Sequence, residues 1–74
     1  MDKIKFYEQL AQILDIEEVQ PKNVLKGFET WDSLAILSVL AMADSTYGAS
    51  IKAEEIRSVV TAAELANLVE LKRK

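Results

Sequence analysis

The sequence predicts an all-α fold, a small bundle of three longer helices and one short helix with a long ordered loop between the first two. Three observations predict it. Half of the 74 residues are apolar, a full supply for one core, whereas only two Gly and one Pro interrupt the chain. Runs of β-branched and aromatic residues are few, which disfavours a sheet. Apolar residues also recur at helical spacing in separate stretches. A chain of this length is expected to form one domain, residues 1–74. Such a domain buries only about 60% of its unfolded surface, so its stability is expected to be marginal.

The first helix is expected from Lys3 to Leu14, capped by Asp2, with Ile4, Tyr7, Leu10, Ala11 and Leu14 on its inner stripe and Phe6 and Ile13 widening it. From Asp15 to Trp31 no helical period holds, and Pro21 and Gly27 break the pattern. Ile16, Val19, Val24, Leu25 and Phe28 recur often enough to pin this stretch to a core, so it reads as an ordered crossover with a short turn near Asn23 to Lys26. A long crossover lets the next helix run parallel or oblique to the first. Asp32 caps the second helix, expected from Ser33 to Thr46, and Gly48 is its natural stop. Its core stripe is Ile36, Val39, Leu40, Ala43 and Tyr47. A second apolar set, Leu34, Leu37 and Ala41, lies on another face, which requires either burial all round or a partner. After Ile51, Lys52 to Val60 holds a short helix with Ile56 and Val59 or Val60 facing in. Thr61 and Glu64 have capping-box spacing for the last helix, whose inner stripe is Ala62, Leu65, Leu68 and Val69. Lys72, Arg73 and Lys74 complement the negative end of its dipole.

Composition excludes much chemistry. The chain has no Cys and no His, which removes thiol nucleophiles, disulfides, the common soft-metal ligand sets and the usual neutral-pH proton shuttle. No Asp/Glu cluster has calcium-loop spacing, so no metal site is expected. Nine Lys and Arg against twelve Asp and Glu give a net charge of −3, a poor basis for binding nucleic acid. No apolar run reaches transmembrane length and no signal-peptide pattern opens the chain, so a cytoplasmic protein without membrane partners is expected.

One hydroxyl stands apart. Ser33, between Asp32 and Leu34, opens the most apolar helix, where backbone N–H groups point outward and the dipole is positive. A helix start of that kind favours a bound or covalently attached phosphate. Asp32-Ser33 is equally an ordinary good helix start. Catalysis by Ser33 itself would need a base, and the chain has no His to supply one. Asp44, Glu54 and Glu55 present charge to a basic partner or form a solvated face. Trp31 is expected to pack at the loop–helix junction and Tyr47 at the core's edge, with its hydroxyl reaching out.

Asp32-Ser33-Leu34 at the head of an apolar helix, after a long ordered loop and before a short third helix, resembles the acyl carrier protein family. The likeness spans nearly the whole chain. Leu37, Leu40, Tyr47 and Ile51 sit at the expected apolar positions after the serine, and Val60-Thr61 followed by Leu65 is similar to the family's approach to its last helix. The resemblance implies that Ser33 is the attachment residue for 4′-phosphopantetheine, joined from coenzyme A by a phosphopantetheinyl transferase. The thiol absent from the chain then arrives with the prosthetic group and holds acyl groups as thioesters. Asp32 would help position the transferase and its metal, and Leu34 would pack against it. Leu34, Leu37, Ala41 and Asp44 would face partner enzymes that load and process the acyl group, and Ile36, Leu40 and Ala43 would line a cleft for a short acyl chain. The chain would act as a monomer and a carrier, not as an enzyme.

Two departures bear on specificity. Trp31 stands where many fatty-acid carriers have Gly, and the second helix carries only Asp44, with Ala35 and Ser38 in places often charged. A nearly neutral helix relies less on electrostatic steering and more on apolar contact, which points to a specialised pathway. A peptidyl or aminoacyl carrier would show the same tripeptide, and an unmodified helical adaptor would use the same exposed leucines.

Overall fold

The structure, a computed structural model, describes residues 1–73. The expected basic end at Lys74 lies outside these residues. Helix α1 spans Lys3–Leu14, α2 Ser33–Tyr47, α3 Ala53–Ser58 and α4 Ala62–Lys72, with a single 3₁₀ turn at Leu25–Gly27. This is a small helical bundle. Helix α1 packs on α2 and α4, and α2 packs on α3 and α4, around one apolar core.

Capping fixes the helix starts. The Asp2 carboxylate accepts from the Lys5 N–H at 3.2 Å, and that of Asp32 accepts from the Ala35 N–H at 2.9 Å. Helix α1 stops at Asp15, which adopts the left-handed conformation (φ 56°) that Asp tolerates better than most residues. Helix α2 runs one residue beyond expectation, to Tyr47, and stops at Gly48 (φ 66°). The next N–H, that of Ala49, bonds back to the Ala43 carbonyl, an arrangement in which glycine avoids the Cβ clash.

The face of α1 differs from the expected one. Phe6, Leu10, Ala11 and Leu14 are buried, whereas Ile4 is 73% exposed. At 3.6 residues per turn Ile4 lies about 120° round the helix from Leu10. Phe6, expected only to widen the stripe, is fully buried. Its ring meets those of Tyr7 and Tyr47 at 5.9 and 6.0 Å. The Tyr47 hydroxyl donates to Gln9 Oε1 at 2.6 Å, so this half-buried side chain reaches the core's edge with its polar tip satisfied. Burial pushes its phenol above the ordinary value of 10.0, with Asp2 adding to the rise and Arg73 opposing it.

The crossover is held by backbone bonds as much as by side chains. Val19 and Leu25 are buried, but Val24 is exposed and contributes through its main chain, as an antiparallel bridge to Thr61. The Leu25 N–H donates to the Val60 carbonyl, and the Ala62 and Ala63 N–H groups donate to the carbonyls of Asn23 and Pro21, each at 2.9 Å. Two first-turn donors of α4, which have no partner within their own helix, are thereby satisfied by the crossover.

These bonds also explain two local departures. Helix α3 ends at Ser58, because Val59 is extended and the Val60 carbonyl is committed to Leu25; Val60 is 51% exposed and only Val59 turns partly inward. At the start of α4 the Thr61 hydroxyl accepts from the Glu64 N–H as expected, but the Glu64 carboxylate accepts from the Val60 N–H. In α4 itself Ala66 is buried, while Leu68 is only half buried.

Candidate functional site

Ser33 is the first residue of α2 and is exposed. The helix begins there because Asp32 is extended and its carboxylate takes up the Ala35 N–H. Among the described residues no group hydrogen-bonds the Ser33 hydroxyl, which is free for chemistry supplied from outside.

Two shallow clefts meet at this point. One, of about 320 Å³, is lined by Lys26, Trp31, Asp32, Ser33, Ile36 and Arg57. The other, of about 200 Å³, lies across Asp32 and includes Ile13, Thr30, Leu34 and Ser38. Trp31 is half buried at the loop–helix junction. Its N–H bonds to the Phe28 carbonyl at 3.1 Å, so the residue before Asp32 is fixed by the crossover.

The fold brings two cations to Ser33 that sequence reasoning missed. Lys26 comes from the 3₁₀ turn and Arg57 from α3, and both line the serine's cleft. Among the described residues neither forms an ion pair. No local signal could have found them, because they converge only through the packing of the crossover and α3 onto the head of α2. The arrangement is an exposed hydroxyl at a helix start in a cleft that Lys26 and Arg57 also line. Chemically it suits a bound phosphate group, favoured by the helix dipole by roughly 0.3–1 kcal/mol.

The outward face of α2 is plain. Leu34 is 73% and Leu37 61% exposed, and Ala41 and Asp44 are exposed farther along the same helix. Spacings of three and four residues place these four on one stripe. Simple burial of the second apolar set, one of the two options left open by the sequence, does not occur. Of the residues expected to line an acyl cleft, Ile36 borders the serine's cleft, Leu40 is half buried against the core and Ala43 is fully buried in it. Ala35, one turn from the cap, is buried as well.

Other polar groups lie elsewhere. Glu55 pairs with Lys72 at 2.8 Å and takes up the Lys52 N–H at 3.0 Å, and these contacts, that of Lys72 foremost, hold its carboxyl below the ordinary value of 4.5. Among the described residues no group of three or more Asp and Glu gathers to hold a metal ion, and no helix is long and apolar enough to cross a membrane. No protein-family model, no curated protein and no solved structure matches the chain.

Proposed function

We propose that this chain is an acyl carrier protein, bearing 4′-phosphopantetheine on Ser33 and presenting acyl thioesters to partner enzymes in a specialised pathway. The observation that carries the reading is the placement of Ser33. It is exposed, unbonded and first in a capped helix, in a cleft with Lys26 and Arg57. The residues present fit the group. The helix start and the two cations favour a phosphodiester, and the exposed hydroxyl is accessible to a transferase. The prosthetic group supplies the thiol that a chain without Cys lacks.

The residues around Ser33 then take separate roles. Asp32 holds the helix start in place and stands ready to orient the transferase and its metal. Leu34 offers an apolar contact to the same enzyme. Leu37, Ala41 and Asp44 extend that surface toward acyl-loading and acyl-processing enzymes, with little charge to steer them. The chain itself performs no catalysis in this account. It is a substrate of the transferase, and a monomeric, cytoplasmic protein is the corresponding expectation.

A peptidyl or aminoacyl carrier would use Ser33 identically and differ only in cargo. The exposure of Leu34 and Leu37 also favours an unmodified adaptor that binds a partner helix through this face. Transfer from a fluorescently labelled coenzyme A by a promiscuous phosphopantetheinyl transferase separates these readings. Label on the native chain and none on Ser33→Ala supports the carrier. A folded native chain that stays unlabelled leaves the adaptor.

A further inference from the structure

A second surface lies on α1 and the first part of the crossover, and it shares no residue with the clefts at Ser33. It is a groove of about 290 Å³ with Ile4, Tyr7, Val19 and Pro21 among its apolar walls. Ile4 is 73% exposed, so the apolar stripe of α1 continues past the core into this groove and ends without a partner. Glu8, Glu17 and Glu18 line it too, no Lys or Arg does, and all three carboxylates are exposed. Among the described residues none of the three is in an ion pair.

We propose that this groove docks a segment of a partner protein that presents one large apolar side chain flanked by Lys or Arg. Size and charge both select that occupant. The volume lies just below the range for pockets that enclose a drug-sized ligand and is enough for one anchoring side chain. An apolar anchor within a ring of polar contacts is the usual core of a protein interface. The three carboxylates attract a basic flank and repel nucleic acid and anionic lipid. The surface is independent of Ser33, so it stands or falls apart from the carrier reading.

Amide shift mapping by NMR on the full chain tests it, with a synthetic helical peptide of leucines and lysines as the probe. The expected result is saturable shifts at Ile4, Tyr7, Ala11 and Val19, and none from a matched peptide with Glu in place of Lys. Combined E8K, E17K and E18K substitutions, all at exposed positions, should weaken binding roughly tenfold, on the scale of three exposed ion pairs. Ile4→Ser, which leaves the charges intact, should weaken it as well. Thermal unfolding of each variant establishes that it is folded. Shifts confined to the Leu34 and Leu37 face, equal binding of the Glu peptide, or unchanged affinity in the folded variants would overturn the proposal. So would concentration-dependent sedimentation showing that a second copy fills the groove.

Discussion

Asp32 and Ser33 are neighbours with separable roles. The Ser33 hydroxyl is exposed and unbonded, so Ser33→Ala should change stability by less than about 0.5 kcal/mol in thermal unfolding. A larger loss would make the hydroxyl a structural element. Asp32→Ala removes the acceptor for the Ala35 N–H and should cost about 1 kcal/mol, whereas Asp32→Asn keeps the cap and most of the stability. Slow phosphopantetheine transfer to a stable Asp32→Asn variant would then locate a role for the carboxylate charge itself. Lys26→Glu and Arg57→Glu alter exposed positions and should leave the fold intact while slowing transfer, by up to about fivefold each. Transfer rates equal to those of the native chain would remove both cations from the site. Asp32 and Ser33 were legible in the sequence because a cap and the residue after it depend only on near neighbours. Lys26 and Arg57 were not, because only tertiary packing brings them together.

At the scale of elements, the caps located α1 and α2 within a residue, while the faces were harder to assign. Adjacent apolar positions on α1 leave its stripe underdetermined, and contact with α2 and α4 selects Phe6 over Ile4. The ends of α3 and the start of α4 follow from bonds to the crossover, which no local pattern encodes. Two predictions belong here. Gly48→Ala should cost roughly 1–2 kcal/mol in urea unfolding through backbone strain alone, since the new Cβ would meet no neighbouring atom. Helices α3 and α4 are joined by Glu55 and Lys72. The Glu55 carboxyl is depressed on folding, so its contribution is complete above the ordinary value of 4.5 and is lost as pH falls through the lower folded value. Glu55→Gln should flatten that part of the acid limb of a stability–pH curve, and an unchanged limb would contradict the pairing.

For the whole molecule, the fold class was legible because composition and period act along the entire chain, and the bundle follows from them. The order of the crossover was legible only in outline. Its apolar residues announced a pinned segment, but three backbone bonds to the α3–α4 junction and the start of α4 do much of the fastening. With one core and a small chain, a single cavity is costly. Leu25→Ala should destabilise by about 2–5 kcal/mol, a large part of the total for a domain of this size, and loosen the crossover that carries Lys26 and Trp31 toward Ser33. Chemical denaturation checks the magnitude. The central claim is that the molecule is built to hold out one alcohol for a borrowed thiol. Intact mass after incubation with unlabelled coenzyme A and a promiscuous transferase tests it most directly. The account predicts a gain of one phosphopantetheine, lost in Ser33→Ala; an unchanged mass from folded native protein, or a gain that persists in Ser33→Ala, would contradict it.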